Sequence, residues 1–301
     1  MKLAVFGTSE FAVPILNTVA ERHDVQVVVT QPDRPSGRGL KHVPSPVKRA
    51  ALARGLDVST PERLRVYVEE LRAWDVEAFV VASYGKIIPQ SMLELVPVAF
   101  NVHPSLLPLY RGATPLQSAL RDGREETAVT IIAMDAGMDT GDVLLQERLP
   151  IGERETYGEL HDRTAALGAR MVVEAIDRYA DGTLSPRTQN ELARELGISD
   201  EEIERTATRP LSKDDLMIDW SGEPKQILDH IRALLPVPAP RAQVDGEQIK
   251  VLDARLAAGE PDGSITGDDG YVHRGVALLR VVPANRAAMS GAAWRRSVVK
   301  A

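Results

Sequence analysis

Two polar side chains suited to stabilising a negative charge lie close together in the segment Asn101-Val102-His103-Pro104. The mostly apolar run at 98–102 predicts a β-strand, and Pro104 ends it. Because side chains alternate along a strand, Asn101 and His103 lie on one face at its carboxyl end. There, an amide and a protonated imidazole could donate hydrogen bonds to an oxyanion, or the imidazole could transfer a proton.

A glycine-containing loop with three carboxylates follows the next predicted strand, at 129–134. It runs Met134-Asp135-Ala136-Gly137-Met138-Asp139-Thr140-Gly141-Asp142. A carboxylate that approaches His103 would orient its ring and stabilise its charged form. The same residues also have a structural interpretation: a loop histidine is often solvated, Asn101 could cap a turn, and the aspartates could bind their own backbone. Spacing alone leaves both interpretations open.

The elements that must position these residues alternate between strand and helix patterns. Residues 2–6 form a short apolar run, 14–21 have helical spacing, and 25–30 form a second run. Strand, helix and strand at this spacing predict a parallel βαβ unit. A predicted helix at 46–54 and an apolar run at 78–83 continue the alternation. We therefore predict an α/β domain with a Rossmann-like open, mostly parallel sheet and a ligand site at its carboxyl edge.

The turn after the first strand argues against an oxidoreductase. The dinucleotide fingerprint G-x-G-x-x-G that starts at Gly7 would need glycine at two positions that hold Ser9 and Ala12. The chain has no cysteine, which excludes thiolate nucleophiles, cysteine-ligated zinc and disulfide bonds. No residue cluster has the spacing of zinc ligands, so we expect no metal.

Composition and charge narrow the possible partners. The chain is 44% hydrophobic and 26% charged, as in ordinary globular proteins. No apolar stretch reaches roughly 18 residues, and Glu10 interrupts the apolar start, so we expect a cytoplasmic protein without a membrane partner. We also expect a monomer. The net charge of −7 argues against nucleic-acid binding over the whole surface. After Asp269, however, six basic and no acidic residues follow, as in a solubilising tail or a surface for a polyanion such as RNA.

The second half of the chain has a different pattern. A long helical periodicity at 157–179 closes the first domain, and a helix is predicted at 227–235. Short β-like runs, separated by the turn signals Asp245-Gly246 and Asp269-Gly270, then predict a small β-barrel of OB-like type. The predicted organisation is a catalytic domain at 1–189, a linker at 190–209 and a β-barrel domain at 210–301.

The chemically interesting segments resemble those of a known family. Asn101-Val102-His103-Pro104-Ser105-Leu106-Leu107-Pro108, Tyr110-Arg111-Gly112 and Met138-Asp139-Thr140-Gly141-Asp142 resemble the signature of the 10-formyltetrahydrofolate-dependent formyltransferases. The resemblance implies that Asn101, His103 and Asp139 are the catalytic residues and that 10-formyltetrahydrofolate is the co-substrate. It also implies a folate-binding site that includes Tyr84, Gly85, Ser105, Leu106, Leu107 and Pro108.

A second motif is more selective within that family. The stretch from Gln31 to Lys41, with Pro44-Ser45-Pro46-Val47-Lys48 after it, resembles a loop insertion of the members that act on methionyl-tRNA. The resemblance implies tRNA contacts from three basic residues, Arg34, Arg38 and Lys41, with Arg38 the most important. Basic side chains between glycines suit phosphate contacts. Without the resemblance, a solvated surface loop would be the simpler interpretation.

The resemblance implies formyl transfer from 10-formyltetrahydrofolate to initiator methionyl-tRNA, for translation initiation, with the β-barrel domain binding the tRNA. Residues 234–241 depart from the pattern: those members usually carry aromatic residues and a glycine where this chain has Leu235, Val237 and Pro240. Two alternatives therefore stay open, a formyltransferase acting on an amino sugar nucleotide and a folate- or RNA-binding regulator without catalysis.

Overall fold

The computed structural model describes residues 1–36 and 41–299, which form two compact units. The first unit comprises Met1–Gly112, Ala128–Leu149 and His161–Ala207, and the second Ala113–Thr127, Pro150–Leu160 and the chain from Thr208 onward. The predicted linker at 190–209 is mostly helical, and its residues up to Ala207 belong to the first unit. The hydrophobic pattern of the sequence did not indicate that the short segments Ala113–Thr127 and Pro150–Leu160 belong to the second unit.

Nine strands lie among the described residues of the first part of the chain. They are β1 Lys2–Gly7, β2 Asp24–Val29, β3 Arg34–Ser36, β4 Lys41–Val43, β5 Val58–Ser59, β6 Ala78–Ala82, β7 Val98–His103, β8 Glu126–Ala133 and β9 Val143–Pro150. Seven of them form one sheet in the order β5-β2-β1-β6-β7-β8-β9. The pairs from β5 to β7 are parallel and β7 pairs with β8 antiparallel, so the predicted Rossmann-like, mostly parallel sheet is confirmed.

Helices are packed along this sheet and in the second unit. They are α1 Ala12–Arg22, α2 Pro46–Ala53, α3 Leu64–Arg72, α4 Gln90–Leu93, α5 Pro115–Arg121, α6 Tyr157–Ala180, α7 Gln189–Leu196, α8 Asp200–Thr206, α9 Pro224–Ala233 and α10 Gly291–Val299. Leu3 and Val5 of β1 share a core cluster with α1, α2 and α6, whereas Ala4 and Phe6 share another with α3 and α4. Both faces of β1 are therefore buried, which explains its uninterrupted apolar sequence.

The second unit contains an antiparallel sheet. Its strands are β10 Arg241–Val244, β11 Glu247–Leu256, β12 Tyr271–His273, β13 Val276–Pro283 and β14 Met289–Ser290. The order is β10-β11-β13-β12, with β14 paired to β13. This curled sheet agrees with the predicted small β domain, but the helix α10, with Trp294 fully buried, was not predicted. The prediction for this segment rested on its charges alone and left out its apolar residues.

A histidine in the second unit is expected to make stability depend on pH. Burial, and then the nearby Arg121, lower the pKa of His230 on α9 to about 4. Between pH 6.5 and 4 the unfolded chain therefore binds more protons than the folded one, so stability falls as the pH falls through that window. We expect His230→Gln to remove about 1 kcal/mol of the stability difference between pH 7.5 and 5. If His230 were fully buried, its lowered pKa would account for about 2 kcal/mol of this difference, and screening by solvent reduces that value.

Urea unfolding at both pH values measures this effect. His23 and His273 also have pKa values that burial lowers, and they stay in both proteins, so the comparison isolates His230. An unchanged pH dependence in His230→Gln would contradict the assignment.

Candidate active site

Strand β7 positions Asn101 and His103 at the carboxyl edge of the parallel part of the sheet. His103 is the last residue of β7 and is 5% exposed, and Asn101 is half-buried. Both side chains face Asp139: Asn101 Nδ2 donates a hydrogen bond to Oδ1 at 3.1 Å, and His103 Nδ1 lies 3.6 Å from Oδ2, within ion-pair distance. The structure thus brings together the amide, the imidazole and one of the three carboxylates.

Asp139 is held in an uncommon backbone conformation. Its φ of 55° lies in the left-handed region, which costs a non-glycine residue about 1 kcal/mol or more and is often found at functional sites. The Gly112 N–H donates to Asp139 Oδ2 at 2.8 Å. Asp135, by contrast, accepts hydrogen bonds from Thr140 Oγ1 at 2.8 Å and from the Gly137 N–H at 3.0 Å. Asp135 therefore shapes the loop, while Asp139 faces the histidine.

The second ring nitrogen of His103 also has a partner. Nε2 lies 3.0 Å from the carbonyl oxygen of Tyr110, which can only accept, so this nitrogen carries a proton. A second proton, on Nδ1, would give an imidazolium between the Tyr110 carbonyl and the Asp139 carboxylate. In this conformation, His103 Nε2 can donate to a substrate oxygen only if that oxygen shares this hydrogen with the Tyr110 carbonyl or takes the place of that carbonyl. Asn101 uses one amide hydrogen for Asp139, and no described residue accepts the other.

The turn after β7 is held by several hydrogen bonds. Ser105 Oγ donates to the Leu109 carbonyl at 2.7 Å, and Thr130 Oγ1 donates to the Ser105 carbonyl at 2.7 Å. Gln146 Nε2 donates to the Leu107 carbonyl at 3.0 Å. Of the residues predicted to bind folate here, Ser105, Leu107 and Pro108 are buried, and Leu106 is half-buried.

The other predicted folate segment divides into buried and exposed residues. Tyr84 is 2% exposed, its ring meets Phe6 edge-on at 5.5 Å, and burial raises its pKa to about 12. Gly85 is exposed with φ 75°, and a Cβ there would lie 2.7 Å from Gln31 Nε2. Ile87, two residues later, is 81% exposed. Tyr84 therefore supports the segment from inside, while its neighbours face solvent.

The structure describes the base of the predicted tRNA loop. Strands β3 and β4 pair antiparallel, with Arg34 opposite Val43. Arg34 is exposed, and its guanidinium contacts Gln31 Oε1. Arg38 and the side chain of Lys41 lie outside the described residues.

The basic end of the chain is partly neutralised in space. Arg295 pairs with Asp245 at 2.8 Å and Arg296 with Asp269 at 3.1 Å. Two of the six basic side chains at this end are therefore paired, because tertiary packing brings carboxylates to them that are distant in sequence. Within residues 1–36 and 41–299, no group of side chains could hold a metal ion, and no helix is long and apolar enough to cross a membrane.

Two residues without a predicted role contact the site. Arg111, which lay inside the recognised motif, has its guanidinium bound to Gln189, and Gln189 contacts the backbone of the Asp139 loop. The motif could have directed attention to Arg111. Gln189 has no local signal, because it lies 50 residues from Asp139 in sequence.

The sequence matches known proteins over both parts of the chain. Residues 1–176 match the family described as formyl transferase, and residues 210–297 match the formyl transferase C-terminal domain. A methionyl-tRNA formyltransferase of Acidiphilium cryptum is 42% identical, with 98% of this chain and 96% of that protein covered. One of Heliobacterium modesticaldum is 38% identical, with the same coverage of 98% and 96%.

A solved structure with the same fold comes from Helicobacter canadensis. It is an N-formyltransferase in complex with folinic acid and dTDP-3-aminofucose, with a TM-score of 0.62 and 20% sequence identity. The match covers 85% of this chain and 88% of that one. At this identity, the likeness concerns the fold alone.

Proposed function

This chain belongs to the formyl transferase family, and from that premise we propose that it transfers a formyl group from 10-formyltetrahydrofolate to the amino group of initiator methionyl-tRNA. The product, N-formylmethionyl-tRNA, serves translation initiation. The observation that carries the proposal is similarity of about 40% identity to methionyl-tRNA formyltransferases over nearly the whole chain. Such similarity includes the C-terminal region and is not limited to the catalytic motif.

The two alternatives have weaker support. The sugar-directed relative from Helicobacter canadensis shares the fold at 20% identity, about half the identity of the methionyl-tRNA formyltransferases. A binding protein without catalysis would not need both Asn101 and His103 in contact with Asp139. That contact, in a left-handed backbone conformation at Asp139, supports catalysis over binding alone.

We place the folate donor along the segment 83–89 and the loop after β8. Ile87 and Met138 are 81% and 61% exposed, and an aromatic ligand would cover such apolar side chains. A cavity of about 360 Å³ lies between α4 and this loop, with Leu93 and Met134 as its apolar lining and the carboxylate of Asp135 among its polar groups. The buried Tyr84, Ser105, Leu107 and Pro108 would support this surface, while Gly85 and Leu106 would lie nearer the ligand.

The proposed mechanism follows from the charges around Asp139. The neutral amine of the acceptor attacks the formyl carbon, and the formyl oxygen becomes an oxyanion as the tetrahedral intermediate forms. The free amide hydrogen of Asn101 and the His103 imidazolium would stabilise this oxygen. Loss of one such donor typically costs roughly 100- to 1,000-fold in rate. Asp139 would orient the His103 ring and, through a water, move the amine proton toward the folate nitrogen as the bond between that nitrogen and the formyl carbon breaks.

The proposed tRNA surface includes the outer face of the C-terminal sheet as well as the loop. Arg241 on β10 lies directly opposite Lys250 on β11, and both are exposed. No ion pair among the described residues involves either side chain. Like charges held side by side without a counterion are unfavourable in the free protein and suit phosphate binding.

Direct competition between acceptors tests the function. The purified protein is given labelled 10-formyltetrahydrofolate together with methionyl-tRNA or an amino sugar nucleotide. We expect kcat/KM to favour methionyl-tRNA by at least roughly 100-fold, because the sugar nucleotide has only a short phosphate group in place of the backbone phosphates of tRNA that the basic residues would contact. Faster formylation of the sugar would replace the proposed acceptor, and no formylation of either would support the non-catalytic alternative.

Arg38→Ala is expected to weaken use of tRNA without affecting folate. Loss of one phosphate contact should raise KM for methionyl-tRNA by roughly 10-fold and reduce its salt dependence by about one counterion, whereas KM for 10-formyltetrahydrofolate stays constant. Arg65→Ala, which removes an exposed arginine of α3, is the matched control. Equal changes in the two KM values would remove Arg38 from the tRNA surface.

A further inference from the structure

Gln189 is a buried amide whose hydrogen-bonding groups all have partners. It is the first residue of α7 and is 4% exposed. Its Nε2 donates to the carbonyl oxygens of Asp139 at 2.7 Å and Gly141 at 2.9 Å. Its Oε1 accepts from Arg111 Nε at 2.9 Å and from Arg111 Nη2 at 2.7 Å. Because buried polar groups are costly to leave without partners, these bonds restrain the Gln189 side chain.

These four bonds join two backbone segments on either side of His103. One segment contains Asp139, whose carboxylate faces Asn101 and His103. The other contains Arg111, between Tyr110, whose carbonyl contacts His103 Nε2 at 3.0 Å, and Gly112, whose N–H donates to Asp139 Oδ2 at 2.8 Å. A displacement of Gln189 would therefore move the groups that orient both nitrogens of the imidazole.

The start of α7 fixes Gln189 itself. Thr188 and Glu191 form a capping box, in which the Glu191 carboxylate accepts from the Thr188 N–H at 2.9 Å. Just before it, Arg187 makes two backbone hydrogen bonds with Val143 of β9, at 2.8 and 2.9 Å. The main chain at Gln189 is thus held on both sides, which makes its side chain a fixed reference point for the site.

We propose that Gln189 is a positioning residue for formyl transfer: it sets the Asp139 carboxylate against His103 by holding the Asp139 and Gly141 carbonyls and, through Arg111, the segment at 110–112. The inference rests on the proposed function. An amide is required for this role, because two carbonyl oxygens need two N–H donors while the guanidinium needs an acceptor. A glutamate would keep the Arg111 contact and lose both donors, and methionine would lose all four bonds at similar volume.

The test is a double-mutant cycle with Asp139→Asn. In the otherwise unchanged protein, Gln189→Met is expected to lower kcat for methionyl-tRNA formylation by roughly 10- to 100-fold, with KM for the tRNA within about 3-fold, because a misplaced catalytic group affects the chemical step. In the Asp139→Asn background the same substitution should lower kcat by less than about 3-fold, since Gln189 acts through that carboxylate. A merely structural role would give equal factors in both backgrounds.

A second variant keeps the inference testable if Gln189→Met does not fold. Gln189→Glu retains an acceptor for the half-buried Arg111 guanidinium and should show the same non-additivity with Asp139→Asn. Asn190→Asp, an equal charge change at the exposed neighbour, is the control and should leave kcat unchanged. If both Gln189 variants fold and retain kcat within about 3-fold, or if their effects simply multiply with that of Asp139→Asn, the inference is overturned. A wild-type protein inactive on methionyl-tRNA would instead overturn the proposed function, and this inference with it.

Discussion

Asp139→Asn is expected to lower kcat for formyl transfer by roughly 1,000- to 10,000-fold with the fold intact, because it removes a charge that the site cannot replace. Both carboxylate oxygens face donors: Oδ1 accepts from Asn101 Nδ2 and Oδ2 from the Gly112 N–H. An amide placed in either orientation would oppose one donor with another. It would also leave the His103 ring, 3.6 Å away, without its counter-charge.

Steady-state and single-turnover kinetics with saturating methionyl-tRNA measure this effect, and circular dichroism checks the fold. Asp181→Asn, an equal change at an exposed position just after α6, is the matched control and should have normal kcat. His103→Ala should fall in a similar range, because it removes the imidazolium from the same oxyanion site. A folded Asp139 or His103 variant with kcat within about 10-fold of the wild-type value would remove that residue from the proposed catalytic set.

Patterns local in sequence predicted much of the first unit. The buried strands β1 and β6 have the continuous apolar runs of a sheet covered on both faces, and β2 and β7 are mostly apolar. Alternation along β7 placed Asn101 and His103 on one face, where the structure has them. Our prediction omitted α3, although Leu64, Tyr67, Val68 and Leu71 have the spacing of an amphipathic helix and are all buried. This omission was avoidable.

Long-range contacts explain what the sequence did not predict. The proximity of Asp139 to His103 was expected from the family resemblance, whereas spacing could not select among three aspartates. The role of Gln189 depends on where α7 packs, 50 residues after Asp139. The same holds for Arg295, whose partner Asp245 precedes it by 50 residues. Such pairs are set by tertiary structure, and one sequence carries no signal for them.

The buried ion pair of α9 gives the largest expected effect on stability. Asp229 and Arg232 are each 5% exposed and are joined by a 2.8 Å hydrogen bond from Arg232 Nε to Asp229 Oδ1. Arg232 Nη1 also donates to the carbonyls of Gly152 and Glu155, each at 3.2 Å. Asp229→Ala would leave a buried guanidinium with carbonyl partners but no counter-charge. We expect it to lower the free energy of unfolding of the second unit by about 3–5 kcal/mol.

Urea unfolding followed by tryptophan fluorescence isolates this unit, because Trp220 and Trp294 belong to it and Trp74→Phe removes the remaining tryptophan. Arg296→Ala, which breaks an exposed pair with Asp269 in the same unit, should cost less than about 1 kcal/mol in the same assay. Replacement of both buried partners, Asp229→Leu with Arg232→Met, should recover most of the loss, since no unpaired charge remains. If Asp229→Ala costs no more than the exposed control, the Arg232 charge must be compensated by the carbonyls of Gly152 and Glu155 alone, and the carboxylate is dispensable for the fold.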